Sequence, residues 1–205
     1  MTSKTTLIGL TGNIGCGKST VARLLISHEH SILHFDCDRI AKKILHDPQN
    51  HTVIEHCLDT KLQRNEGGHE IDTKAIRHII FTDMRCKQSL EDFIHPLVYN
   101  ALKSVVTAHP YHLIVVESAI LFEIGWEKFM SAVITVSCSK TTQRDRLKRH
   151  RNMTSKDITK VTQSQLPQEE KLSRCDHKIN SDCSKAMLKD RVQKLQHSVL
   201  SQLQA

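Results

Sequence analysis

Gly12-Asn13-Ile14-Gly15-Cys16-Gly17-Lys18-Ser19, followed by Thr20, fits the pattern G-x-x-x-x-G-K-[ST] at every fixed position. Glycines let the backbone curl until consecutive N–H groups point at one anion. Lys18 then reaches the β- and γ-phosphates, and the Ser19 hydroxyl is set to ligate Mg²⁺. The flanking sequence agrees. Thr6-Leu7-Ile8-Gly9-Leu10 reads as a short buried strand, and Ser19 to Ser27 carries apolar residues at Val21, Ala22, Leu24, Leu25 and Ile26, as a helix would. Strand, loop and helix in that order bring the positive end of a helix dipole to the phosphate site.

Over 205 residues the chain is 39% hydrophobic and 25% charged, enough for one α/β domain with insertions. A formal charge of +7 would attract nucleic acid or a phosphorylated small molecule equally. Aromatic residues make up only 4%, too few for an exposed base-stacking platform. Seven scattered cysteines form no C-x-x-C pair, so reduced thiols are expected rather than a disulfide framework or a zinc ribbon. The histidines are dispersed, and His28-Glu29-His30 matches no metal motif. There is no apolar run of membrane-spanning length, and Met1-Thr2-Ser3-Lys4-Thr5 leads into the first strand without a signal-peptide pattern, so a cytoplasmic location is expected.

After the first helix, Ser31-Ile32-Leu33-His34-Phe35 reads as a second strand ending at Asp36-Cys37-Asp38. Carboxylates thus stand where the carboxyl end of a parallel strand meets the crevice of an open sheet. Asp36 and Asp38 supply a general base, with a water-mediated metal contact, or else Asp38 N-caps the helix Arg39 to His46 and Asp36 is a turn residue. A helix is expected from Gln49 to Leu58, then a polar hairpin or loop around Asn65-Glu66-Gly67-Gly68. From Thr73 to His109 the apolar spacing is helical, too long for one crossover, and predicts an inserted helical subdomain over one side of the crevice. Pro96 should kink or restart that helix, which either aims His95 into the cleft or only bends the helix around the core.

Leu113-Ile114-Val115-Val116 is an apolar strand ending at Glu117, where a Walker-B-type carboxylate would hold a water on Mg²⁺. Ala132 to Val136 reads as a fourth strand and Asp176 to Asn180 as a fifth. Between them Thr142 to Arg151 is strongly basic and Thr154 opens a further helix toward Gln165. This is either an arginine-bearing lid over the triphosphate or a solvated basic face. An amphipathic helix from Ser184 to Leu203 closes the chain. No repeat or linker divides independent domains.

Several of these motifs together resemble the dephospho-CoA kinase family nearly end to end. Gly9-Leu10-Thr11-Gly12 through Ala22 resembles its opening, and Asp36-Cys37-Asp38-Arg39-Ile40-Ala41 its D-x-D-x-I-A segment. Leu90-Glu91 with His95-Pro96-Leu97-Val98 resembles L-E…H-P-x-V, and Ile120-Leu121-Phe122-Glu123 the end of its P-L-L-F-E turn. Gln165-Leu166-Pro167, Glu169-Glu170-Lys171-Leu172 and Arg174-Cys175-Asp176 resemble its Q-x-P…E-E-K-L-x-R-A-D run. The resemblance implies transfer of the ATP γ-phosphate to the ribose 3′-hydroxyl of dephospho-CoA with Mg²⁺. It also implies Asp38 as general base, Arg146 on the transferring phosphoryl group and Thr11 near the acceptor, and His95, Phe122 and Glu123 are further expected on the acceptor side. Ala119 replaces a usual proline, and Asn13 and Cys16 replace a usual glycine and serine. His150 stands where a second lid arginine is expected, and Ser181-Asp182-Cys183 where an asparagine-glycine segment is usual.

The expected fold is α/β, a three-layer P-loop NTPase with a short five-stranded parallel sheet. The core takes 1–58, 110–140 and 174–205, a helical acceptor-binding insertion about 59–109, and a lid about 141–173. ATP would lie on residues 12–20, with Lys18, Asp36, Asp38 and Arg146 catalytic and Ser19 on Mg²⁺, together with Asp36 or Glu117 through water. The expected partners are ATP and dephospho-CoA, with neither nucleic acid nor membrane, and oligomeric state is left open. A GTPase or ATPase switch lacks an N-K-x-D segment here. A basic nucleotide-sensing module and a kinase for another nucleoside or nucleotide are the remaining alternatives.

Overall fold

The computed structural model describes residues 5–27, 32–62, 71–110 and 113–204, with side chains as far as Val199. The loop expected around Asn65 to Gly68 and the His28-Glu29-His30 triplet lie outside the described residues. The elements run β1 (Thr6–Thr11), α1 (Lys18–Ile26), β2 (Ile32–Asp36), α2 (Cys37–His46), α3 (His51–Leu58), α4 (Thr73–Thr82), α5 (Met84–Ala108) and β3 (Leu113–Glu117). They continue with β4 (Ala132–Ser137), α6 (Lys140–Arg151), α7 (Ser155–Gln163), α8 (Gln168–Arg174), β5 (His177–Asn180) and α9 (Lys185–Gln204). The chain divides into two compact units, Met1–Asp36 with His109–Ala205, and Cys37–Ala108.

The first unit is built on a five-stranded parallel sheet in the order β2-β3-β1-β4-β5. Its strands are short, and the central β1, β3 and β4 are mainly apolar and buried, as expected of strands covered on both faces. Alternate residues Ile8, Leu10, Val115, Ile134 and Val136 meet Val21 and Leu25 of α1 and Leu188, Val192 and Val199 of α9. Each such side chain contributes about 1.5–3 kcal/mol when fully removed from water. On the other face a Cβ at Gly9 would touch Leu121 and Met130, and α8 packs on β4. The α/β architecture and five parallel strands are as the sequence predicts. Among the described residues no helix is long and apolar enough to cross a membrane.

In the second unit α5 is the spine, with α2, α3 and α4 packed against it. Ile54, Cys57, Leu58, Ile71, Ile76, Cys86 and Leu90 form its core. The contacts draw α2 and α3 into this unit, so it begins at Cys37 rather than near residue 59. The long helical stretch is divided at Asp83, and Pro96 lies inside the unbroken α5. Asp83 is extended, and its carboxylate accepts from the N–H groups of Arg85 and Cys86, an N-cap that starts α5 afresh. Pro96 forfeits one helical hydrogen bond, but the apolar stripe carries on through it to the buried Val98 and Leu102.

Candidate active site

Strand register brings the candidate residues to one edge of the sheet. Asp36 lies opposite Glu117, Glu117 opposite Leu10, and Thr11 opposite Thr135. The carboxyl ends of β2, β3, β1 and β4 are therefore level, and the phosphate loop leaves the middle of this edge, where an open parallel sheet binds ligands.

The loop keeps its shape because its glycines take conformations that other residues resist. Gly12 has φ +137°, and a Cβ there would fall 2.1 Å from the Val136 carbonyl oxygen. Gly17, at φ +92°, turns the chain into α1, whose first residue is Lys18. Lys18 is almost fully buried, and its ammonium bends back to the carbonyls of Gly12 at 2.9 Å and Asn13 at 3.5 Å. It thus stays within the mouth of the loop. The Thr20 hydroxyl points elsewhere, accepting from Arg23 one turn on.

Ser19 donates its hydroxyl hydrogen bond to Glu117 Oε1 at 2.7 Å, and the other carboxylate oxygen lies 3.0 Å from His34 Nε2 on β2. Burial opposes ionisation of Glu117, but the His34 and Ser19 hydrogen bonds and the nearby Lys18 ammonium hold its carboxyl below the usual range. Glu117 is accordingly a carboxylate, and His34 donates to it. The pair of hard oxygens on Ser19 and Glu117 suits Mg²⁺.

The basic run separates into two parts. Arg144, Lys148, Arg149, His150 and Arg151 are exposed, the last four in the final turn of α6 where cations favour the helix dipole. Arg146 is half-buried and makes two bonds at 2.9 Å to Ser181, to its hydroxyl and its carbonyl. Ser181 also donates to the Cys16 carbonyl at 2.7 Å, so one residue joins the arginine to the loop. The segment between α7 and α8 grips the other side of the loop. Asn13 donates to the Leu166 carbonyl, the Ile14 N–H to Gln165 Oε1, and Gln143 of α6 to the Ile14 carbonyl.

Of the remaining candidates, Thr11 is fully buried, and its hydroxyl has no hydrogen-bond partner among the described residues. Phe122 is buried under the Arg174 guanidinium, 4.6 Å from the ring centroid. Glu123 pairs with the buried Lys171 at 2.8 Å and accepts the Leu166 N–H. Asp38 lies in the first turn of α2, which begins at Cys37, so it does not cap that helix. His95 sits on α5 in the helical unit, where burial holds its imidazole below the usual pKa against the opposing pull of Glu91 and Asp92.

Sequence reasoning assigned no role to His34, Gln143, Gln168 or Ser181. His34 and Gln143 carried no motif signal. Ser181 was visible only as a departure, yet it is the residue that holds Arg146.

A phosphate loop after the first strand, an acid of the neighbouring strand on its serine, and an arginine from a helical segment rooted beside it make this a P-loop kinase. The family model for dephospho-CoA kinase matches residues 6–186. The chain is 32% identical over 200 residues to the dephospho-CoA kinase of Chlorobium luteolum, covering 95% of this chain and 90% of that one. Among solved structures it is similar to a protein of Thermus thermophilus, at 26% identity over 98% of both chains with a TM-score of 0.82. It is also similar to dephospho-CoA kinase from Campylobacter jejuni, at 25% identity over 94% and 96% with a TM-score of 0.66. The chain belongs to the dephospho-CoA kinase family, whose members are ATP-dependent phosphotransferases.

Proposed function

We propose that this chain transfers the γ-phosphate of ATP to the ribose 3′-hydroxyl of dephospho-CoA, the last step in making coenzyme A. The observation that carries this reading is the family match over residues 6–186, which includes the complete phosphate loop. ATP and dephospho-CoA are its partners, and the cytoplasm is the expected compartment.

Phosphoryl transfer needs little covalent help, so positioning and charge neutralisation carry most of the acceleration. Residues 12–20 hold the triphosphate, with Lys18 released from its carbonyls to the β- and γ-oxygens. Ser19 and Glu117 would hold Mg²⁺, which when bound would neutralise negative charge on the phosphates. His34 keeps the Glu117 carboxylate turned toward Ser19. Arg146 leaves Ser181 to spread the negative charge that develops on the transferring group. Asp38 orients the acceptor hydroxyl and takes its proton, with Asp36 supporting it from the end of β2. Residues 141–173 act as the lid that excludes water.

On the acceptor side we assign Thr11, His95, Phe122 and Glu123. Thr11 has a buried hydroxyl to offer, and His95 is held neutral and can accept a hydrogen bond. Glu123 is committed to Lys171 and Leu166, so it acts by fixing the segment that carries Phe122. The helical unit is assigned to acceptor binding as a whole.

The test is purified protein with Mg-ATP, with and without dephospho-CoA, following ADP release and acceptor mass. ADP formed only with the acceptor, with a product heavier by one phosphoryl group, is the expected result. ADP formed without it would instead mean a hydrolytic switch.

A further inference from the structure

Two cysteines meet under the phosphate loop. Cys16 is the last residue of the loop before Gly17-Lys18, and Cys138 follows the end of β4. Their sulfurs are 3.3 Å apart and both residues are buried. A disulfide needs about 2.05 Å, so closing the gap takes a shift of about 1.2 Å. Gln168 fixes one side of the pair, since its Oε1 accepts from the Cys138 N–H at 3.0 Å and lies 3.6 Å from Cys16 Sγ. A cavity of about 250 Å³ reaches the Cys138 side of the pair, with Asn13, Gln143 and Gln168 also in its wall. That is ample room for a peroxide.

We propose that Cys16 and Cys138 form a dithiol that small peroxides oxidise to a disulfide, drawing the phosphate loop out of its nucleotide-binding shape. The loop is the part that yields. Cys138 is held at a strand end, whereas Cys16 lies between Gly15 at φ +81° and Gly17 at φ +92°. The Cys16 backbone is also where the loop is tied, its N–H to the Asn13 carbonyl at 3.1 Å and its carbonyl to Ser181. Pulling Cys16 toward β4 spoils the convergence of amides on the phosphate and loosens the seat of Arg146.

The local charges suit the chemistry. Cys138 donates its S–H to Cys16, and Lys18 and Arg146 add their positive charge, so the Cys16 thiol is held below its ordinary value although burial opposes this. The same contact and burial push the Cys138 thiol up. The Cys16 thiolate attacks one peroxide oxygen, the O–O bond breaks, and the departing hydroxide takes a proton to leave as water. The resulting sulfenic acid is attacked at sulfur by Cys138, which loses its proton as the second water leaves. Two thiols and one hydrogen peroxide thus give one disulfide and two waters, and a small dithiol reverses the change by exchange.

The effect on turnover rests on the kinase reading, while the linkage and its effect on MgATP binding do not. The full chain is treated with hydrogen peroxide and then with dithiothreitol. Intact mass, a non-reducing peptide map, MgATP affinity by calorimetry and dephospho-CoA-dependent ADP release are followed throughout. We expect a mass loss of about 2 Da, a linked Cys16–Cys138 peptide, and a fall in kcat/KM for MgATP of about 10²-fold, the size a displacement near 1 Å produces. Dithiothreitol should reverse all three. Cys138→Ser should match the untreated parent and resist the oxidant. Thiols that stay free, a linkage that leaves MgATP affinity unchanged, or equal loss in Cys138→Ser through Cys175 or Cys183 would each overturn the proposal. A reduced protein that binds MgATP but ignores dephospho-CoA would instead count against the kinase reading alone.

Discussion

Ser19 and Glu117, 98 residues apart in the chain, are joined by a 2.7 Å hydrogen bond at the carboxyl edge of the sheet. The contact ties the first turn of α1 to the end of β3, and it draws two oxygen donors to one point beside the phosphate loop. His34 holds the far oxygen of the same carboxylate.

Glu117→Gln keeps the shape and the Ser19 hydrogen bond but removes the charge. The Mg²⁺ concentration needed for half-maximal turnover should rise about 10–100-fold, the usual scale for disturbing a metal's supporting groups. Metal-free ATP binding should hardly change. Rate against Mg²⁺ with calorimetry of ATP alone separates the two, and an unaltered Mg²⁺ requirement would remove Glu117 from the metal site.

Arg146→Lys keeps a positive charge but loses the planar fork that grips Ser181 twice. If Arg146 stabilises the transferring group, kcat should fall by about 10³-fold or more, the range of arginines that act on transferring phosphates. KM for ATP should move far less. Ser181→Ala removes the hydroxyl that accepts from Arg146 and donates to the Cys16 carbonyl but leaves the carbonyl anchor of the arginine. It should therefore cost far less in kcat, and a loss as great as in Arg146→Lys would make the arginine a structural residue.

Asp38→Asn should leave ATP affinity intact and lower turnover by about 10²–10⁴-fold, the usual contribution of a general base. Single-turnover measurements with saturating dephospho-CoA read the chemical step directly. Near-normal rates would hand the proton to another group.

The phosphate loop, the strand that precedes it and the acid ending β3 were legible because each is written in a short run of local sequence. Alternation and apolar runs located the five strands. The hydrogen bonds that organise the site were not legible, since they join distant segments. Asn13 meets Leu166, Gln143 meets Ile14, and Ser181 meets Arg146 only after β4 and β5 have paired. The break at Asp83 was missed for a different reason. Pro96 is a strong local signal for a kink, yet a capping aspartate decides where α5 begins and the apolar stripe carries the helix through the proline.

Lys171 shows how far a motif residue's task can be from the chemistry. It is fully buried, and its ammonium bonds the Ala119 carbonyl at 2.5 Å and the Glu123 carboxylate at 2.8 Å. Glu123 also accepts the Leu166 N–H, and the Leu166 carbonyl accepts from Asn13, so the lysine supports the loop through three contacts in series. Lys171→Met fills the space but leaves the Glu123 charge without its partner. A fully buried pair broken on one side costs about 3–5 kcal/mol. Glu123 keeps 18% of its side chain exposed and retains the Leu166 bond, so the loss should lie near the lower end. Chemical denaturation reads it as a lower midpoint at unchanged slope. Adding Glu123→Gln removes the stranded charge and should restore part of the stability, a recovery that mere loss of lysine packing would not produce. At a temperature where Lys171→Met is folded, KM for ATP should rise while kcat holds, because the loop is loosened and the reacting groups are untouched. A fall in kcat alone would instead place Lys171 at the chemical step.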